Sequence, residues 1–338
     1  MSLPTRPLGT TGFDITRVGL GAWAIGGGGW QGGWGPQDDG ESTAAIHRAV
    51  ESGINWIDTA PAYGLGHAEE VVGAAVAQID EMDRPFIFTK CGLVWAEGEN
   101  AVSNVLSAES VRRECETSLR RLRVERLDLL QIHWPSTDGI AAEDSWATMV
   151  DLVDEGKVRA IGVSNYDLEL LERSEDVRHV DTYQPELNML RRTAAADAIP
   201  WCTRHDTGVL VYSPMRSGLL TGHFSPERCA QLPADDWRGG DEDFREPALS
   251  RNLALVERLE AIAMEMGASL PALAVAWTLA WPGVTGAIVG ARRPEQLDGW
   301  IDAATLELDD DALDAVASAI EECGAGAGPL RPEVGVAS

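Results

Sequence analysis

From residue 17 onward, short runs rich in Val, Ile and Leu alternate with longer stretches whose apolar residues recur at helical spacing. The runs predict eight strands: Val18 to Trp23, Trp56 to Ala60, Phe86 to Lys90, Leu127 to His133, Ala160 to Asn165, Thr182 to Pro185, Val209 to Pro214 and Ala287 to Gly290. Helices are predicted over Asp39 to Glu51, Ala108 to Leu122 and Asn252 to Met266. The first has Ala45, Ile46, Ala49 and Val50 at helical spacing, an acidic first turn and Gly53 just beyond its end. Alternating strand and helix imply parallel strands joined by right-handed crossovers, and strands that are apolar without interruption are covered on both faces. Eight such units close a ring, so the predicted fold is an α/β (β/α)8 TIM barrel. Residues 5 to 16 predict an N-terminal β-hairpin turning at Gly9 and Gly12, and Asp309 to Glu321 an added C-terminal helix. On this reading residues 1–338 are a single domain: hairpin 1–16, barrel and C-terminal helix 17–320, and a Gly-, Pro- and Ala-rich loose tail 324–338. A doubly wound open sheet is the rival. Gly26 to Gly29, however, do not form G-x-G-x-x-G leading into a helix, so that fold's dinucleotide fingerprint is missing.

Two connections are long for an α/β protein, Cys91 to Ser107 after the third strand and Met215 to about Ser250 after the seventh. Both leave the C-terminal ends of strands, where barrels of this type build their sites. That position is the filter for candidate chemistry. Asp58 ends the second strand, Tyr63 lies in the turn that follows, Lys90 ends the third strand and His133 the fourth. Taken singly, the first three read as a turn residue, a core phenol and a solvated cation. At one barrel mouth they form a set suited to carbonyl chemistry. When a carbonyl carbon gains hydride, negative charge develops on its oxygen, and a donor must protonate or stabilise that oxygen. Tyr63 is the expected donor, with the Lys90 ammonium lowering the phenol's pKa, Asp58 holding Lys90 and His133 orienting the substrate oxygen.

Composition narrows the partners. The net charge of −27 is spread along the chain, which disfavours nucleic acid and anionic membranes. No stretch approaches the roughly 20 apolar residues of a membrane helix, and no signal-like start is present, so a soluble, cytoplasmic protein is expected. Five cysteines without C-x-x-C spacing fit reduced thiols, and no metal site is expected. Of 27 basic residues only Lys90 and Lys157 are lysine, which draws attention to Lys90. Lys157, before the fifth strand, falls at the opposite end of the barrel and receives no chemical role. His47, His179, His205 and His223 read as solvated surface groups.

The run Gly53-Ile54-Asn55-Trp56-Ile57-Asp58-Thr59-Ala60-Pro61-Ala62-Tyr63-Gly64, followed by Glu69-Glu70 and Gly73, resembles the signature of the aldo-keto reductases. So do Leu127 to Pro135, with its Gln131-Ile132-His133-Trp134-Pro135 ending, and Gly156 to Asn165. The resemblance covers about residues 5 to 320 and extends to the branch that includes potassium-channel β-subunits and bacterial general-stress and sugar oxidoreductases. It implies the tetrad Asp58, Tyr63, Lys90 and His133, and NADPH as cofactor with NADH the alternative. By the same resemblance, Ser164, Asn165 and Gln184 meet the nicotinamide carboxamide, Tyr212 stacks on its ring, and Trp23 and Asp58 adjoin it. Ser213, Pro214, Met215, Ser217 and Gly218 fall in the pyrophosphate segment. Gly290, Arg292 and Gln296 lie at the adenosine end, with Arg292 the partner for a 2′-phosphate. Trp300 and Ala68 depart from the common pattern, which has Asn and Ser there.

Trp23, Trp30, Trp34, Trp95 and Trp134 fall just beyond strand ends on the expected site face and imply an aromatic, largely apolar substrate pocket. The resulting expectation is an aldehyde or ketone reductase, or an alcohol or sugar dehydrogenase working in reverse, acting on a small molecule. A catalytically weak nucleotide-sensing subunit is the alternative from a different class. Oligomeric state and natural substrate are not legible.

Overall fold

The computed structural model, which describes residues 3–233 and 236–332, has eight parallel strands closed into a barrel. In chain order they are β1 (Val18–Gly21), β2 (Trp56–Asp58), β3 (Phe86–Cys91), β4 (Leu127–Ile132), β5 (Val158–Ser164), β6 (Thr182–Gln184), β7 (Gly208–Val211) and β8 (Val284–Gly290). The ring closes where β8 pairs with β1, Ala287 opposite Val18 and Gly290 opposite Gly21. The period of two along each strand sends Trp56, Phe88, Leu129, Ala160, Leu210 and Ile288 into one inner cluster. The alternate positions join the larger cluster shared with the helices. Two buried faces explain why the strands read as unbroken apolar runs.

The N-terminal hairpin, Thr5–Pro7 antiparallel to Asp14–Thr16, closes the end of the barrel away from the long connections. Leu8, Phe13 and Ile15 enter the inner cluster, and the Arg159 guanidinium lies 4.3 Å over the Phe13 ring. Trp56 fills the barrel and donates to the Thr16 carbonyl at 2.8 Å. A Cβ at Gly19 would lie 2.2 Å from the Trp56 ring, so β1 needs glycine there.

The helices Asp39–Glu51 and Ala108–Leu122 have the expected ends, with Asp38 and Ser107 accepting from the amides of Glu41 and Ser110. The third starts at Ala248, not Asn252, because its exposed first-turn residues Ser250 and Arg251 hide the apolar period. The C-terminal helix is Asp310–Cys323, capped by Asp309. Beyond it the expectation of a loose tail is overturned for residues 324–332. Arg192, only 2% exposed, donates to the carbonyls of Met189, Ala325, Gly328 and Pro329 and holds the segment against the loop after β6. Residues 333–338 of that expectation lie outside the described residues.

The histidine reading also needs correction. His47, His179 and His205 are half-buried and partnered, by the Ala75 carbonyl, the Glu175 carboxylate and the Trp201 ring respectively. Among the described residues no single helix is long and apolar enough to cross a membrane.

Candidate active site

The four residues expected at the barrel mouth converge there. Asp58 ends β2, and the turn after it carries Tyr63, whose amide donates to the Ala60 carbonyl at 3.2 Å. Gly64 follows with φ +63°, and a Cβ there would lie 2.3 Å from the Gly26 carbonyl oxygen. The absence of side chains at Gly26 and Gly64 therefore lets the loop after β1 press directly on the Tyr63 turn. Lys90 Nζ lies 2.5 Å from Asp58 Oδ1, 3.0 Å from the Thr59 carbonyl and 3.3 Å from the Tyr63 hydroxyl. The second Asp58 oxygen accepts from Gln184 Nε2 at 2.9 Å. The His133 ring stands edge-on to Tyr63, centroids 5.7 Å apart.

Electrostatics at the site differ from the sequence expectation in one respect. The Tyr63 phenol is pushed well above its ordinary range, first by burial and then by the Asp58 carboxylate. The Lys90 ammonium, paired with Asp58 at 2.5 Å, does not reverse that shift. Burial raises the Asp58 carboxyl and lowers the Lys90 ammonium, each opposed by the other's charge. His133 is held well below its ordinary value by burial and by Lys90, which makes it a neutral imidazole. At neutral pH the site thus offers a protonated phenol beside a buried ion pair.

A cavity of about 1250 Å³ runs from Tyr63 and His133 to Arg292 and Trp300. That exceeds what a small carbonyl compound alone needs. Trp23, Asp58, Ser164, Asn165, Gln184 and Tyr212 line it near Tyr63, and Ser164, Asn165 and Tyr212 hold one another in place. Asn165 donates to the His133 carbonyl at 3.0 Å and accepts from the Tyr212 hydroxyl at 2.7 Å, while Ser164 Oγ donates to the Gln184 carbonyl at 2.8 Å. Ser213, Pro214, Met215, Ser217 and Gly218 form the next stretch of wall. Here Ser213, Arg216, Ser217 and Gly218 all have positive φ, and the buried Ser217 hydroxyl has no hydrogen-bond partner. Such a backbone concavity beside an orphaned hydroxyl suits phosphate oxygens. Arg216 fixes the segment by ion pairs of 2.7 Å to both Asp241 and Asp243. Gly290, Arg292 and Gln296 line the far end.

Of the tryptophans expected in a substrate pocket, Trp23, Trp30, Trp34 and Trp134 line the cavity. Trp95 does not. Its ring packs under the Arg121 guanidinium at 5.3 Å, outside the cavity lining, because the small hairpin of Leu93–Val94 and Ser103–Asn104 turns it away. The indole missed by the sequence reading is Trp237, which stacks on Trp23 at 5.5 Å and 14°. It sits in a 3-10 turn, Trp237–Gly240, of the long connection after β7, where no periodicity marks an element. Glu114 was missed as well. It accepts from the Gly92 amide at 2.8 Å, two residues past Lys90, and burial pushes it up to about 7. Among the described residues no group of three or more His, Cys, Asp or Glu side chains could hold a metal ion.

Comparison with known proteins gives the same picture. The model of the Aldo/keto reductase family matches residues 17–321. The chain is 37% identical over 289 residues to aldo-keto reductase YhdN of Bacillus subtilis, covering 85% of each chain. It is 32% identical over 315 residues to the NADH-specific methylglyoxal reductase of Escherichia coli, covering 90% of this chain and 94% of that one. The structure of a glycerol dehydrogenase from Gluconobacter oxydans superposes with a TM-score of 0.87 at 37% identity, covering 99% of this chain and 100% of the other.

Proposed function

The chain belongs to the aldo/keto reductase family of oxidoreductases, and from that premise we propose that it is an NADP(H)-dependent enzyme reducing an aldehyde or ketone to an alcohol, or oxidising the corresponding alcohol or sugar, with Tyr63 as proton donor. The observation that carries this reading is the set of contacts from Lys90 Nζ to Asp58 and to the Tyr63 hydroxyl, at one end of a cavity with room for a dinucleotide. When bound, the cofactor supplies the hydride for reduction or accepts it in oxidation. Ser164, Asn165, Gln184, Tyr212 and Trp23 would hold its nicotinamide end, Ser213 to Gly218 its pyrophosphate, and Gly290, Arg292 and Gln296 its adenosine. NADPH is the proposed form because Arg292 and Arg293 line the adenosine end; NADH is the alternative, and one relative is named NADH-specific.

The proton chemistry follows from the chain's own groups. The protonated Tyr63 hydroxyl donates to the carbonyl oxygen and releases its proton as charge develops there. The Lys90 ammonium, 3.3 Å from the phenol oxygen, stabilises the phenolate that results, and Asp58 keeps that ammonium aimed. Neutral His133 is placed to orient the substrate oxygen. Trp30, Trp134, Leu93 and Val102 surround the space beside Tyr63 and favour a neutral substrate over a charged one.

Purified protein supplied with reduced cofactor and a panel of aldehydes and ketones, methylglyoxal among them, is expected to consume the cofactor's absorbance. Cofactor binding with no turnover across the panel would instead favour a nucleotide-sensing subunit. The pH dependence has a definite sign. Reduction needs the protonated phenol, so kcat/KM for the carbonyl should hold through neutral pH and fall only as pH rises through the raised Tyr63 value. Oxidation needs the phenolate and should gain over the same range. A reduction rate that climbs with pH would contradict the assignment of Tyr63.

A further inference from the structure

At the far end of the cavity, cations gather in a chain that is otherwise strongly acidic. Arg292 and Arg293 line it together with Arg238. Burial first, and then the charges of Arg293 and Arg238, push the Arg292 guanidinium below its ordinary range. Like charges drawn together at a cavity wall mark a place for an anion. The three are not equally available. Arg238 is gripped side-on by Asp236, at 2.9 and 2.6 Å. The Arg293 side chain has no hydrogen-bond or ion-pair partner among the described residues. Among the described residues, Arg292 is held only by neutral acceptors.

Those acceptors all come from one loop. Arg292 Nε donates to Gln37 Oε1 at 2.6 Å, one Nη to the Pro36 carbonyl and the other to the Trp34 carbonyl at 3.5 Å. The Nε and Nη facing Gln37 and Pro36 form the edge that would meet a phosphate in a two-point pair. Gln37 is fixed in turn, its Nε2 donating to the Arg292 carbonyl at 2.8 Å and to Ser42 Oγ at 3.0 Å. One amide side chain thus covers the Nε half of the binding edge of the guanidinium, the Pro36 carbonyl covering the other half, and bolts the loop carrying Trp30 and Trp34 to the chain after β8.

We propose that Gln37 is a cofactor-selectivity residue: by occupying Arg292 it weakens the hold on a 2′-phosphate and keeps the non-phosphorylated dinucleotide competitive. This rests on the cofactor reading given above. A 2′-phosphate reaching Arg292 exchanges neutral hydrogen bonds for charge-assisted ones, which are about twice as strong, so it can displace Gln37 but gains less than it would from a free guanidinium. The dinucleotide without that phosphate leaves the bolt closed and loses nothing.

The test is a fluorescence titration of the full chain with NADPH and with NADH separately, using quenching of the cavity tryptophans. Gln37→Ala removes one neutral bond and should lower the NADPH Kd about fivefold while NADH stays within about twofold. Gln37→Glu puts a carboxylate against Arg292 and should raise the NADPH Kd about tenfold or more, again sparing NADH. The proposal is overturned if both variants leave the ratio of the two Kd values unchanged, if the two cofactors move together, or if Gln37→Ala weakens NADPH. Wild-type protein that binds neither dinucleotide would remove the cofactor reading itself, a distinguishable result.

Discussion

Replacing Tyr63 with phenylalanine is expected to lower kcat/KM for carbonyl reduction by about 10²- to 10⁴-fold, the range lost when a positioned general acid is removed. Cofactor affinity should survive. The ring lies parallel to Trp23 at 6.1 Å, tilted against Trp30 at 6.3 Å and edge-on to His133 at 5.7 Å, and phenylalanine keeps all three contacts. Among the described residues the hydroxyl's one hydrogen bond is the 3.3 Å contact from Lys90, so folding stability should fall by only about 1 kcal/mol. Steady-state kinetics, a cofactor titration and equilibrium unfolding together separate these effects. Turnover within a few-fold of wild type would take the proton-donor role away from Tyr63. Loss of cofactor binding in step with turnover would make its role one of packing.

Much of this site was legible in the sequence, for a reason specific to parallel barrels. Strand ends can be read from unbroken apolar runs, and every C-terminal strand end points to the same mouth. Asp58, Lys90 and His133 could therefore be brought together from positions 32 and 43 residues apart without any pairing information, and Tyr63 came with the turn after Asp58. The family signatures around Gly53 to Gly73 and Leu127 to Pro135 pointed to the same residues.

What was not legible depends on orientation and burial. Trp95 lies in the expected connection, but a two-residue hairpin strand decides which way its ring faces, and sequence periodicity cannot resolve so short an element. Trp237 and Asp243 sit on consecutive 3-10 turns, with Asp241 between them, where there is neither helical nor strand period. The tail looked loose from its composition, yet carbonyls along it meet a single buried guanidinium, that of Arg192. The direction of the Tyr63 shift was read with the wrong sign. Sequence supplies the neighbouring charge of Lys90, but neither the depth of burial nor the 2.5 Å pairing that matches that charge with Asp58.

That pairing leads to the second large effect. Lys90 and Asp58 are 1% and 2% exposed, and Lys90→Met removes the cation while preserving side-chain length. Asp58 would keep only its bond from Gln184, and an uncompensated buried charge costs about 3–5 kcal/mol. The loss should depend on pH. Without the ammonium, the folded-state pKa of Asp58 rises further above its unfolded value. The carboxyl then sits neutral at acid pH with little cost, and destabilisation grows as pH increases through that raised value. Turnover should fall by about 10²-fold or more, since the charge that stabilises the developing phenolate is gone. Adding Asp58→Asn to Lys90→Met separates the two consequences. With both charges removed, an asparagine can still accept from Gln184, so stability should recover most of the loss while turnover stays low. Equilibrium unfolding at several pH values, alongside kinetics, reads both. A single variant as stable as wild type, or a double variant no more stable than the single, would mean that the buried pair does not hold the barrel mouth together. A double variant that regained turnover would show that Tyr63 needs no charge beside it.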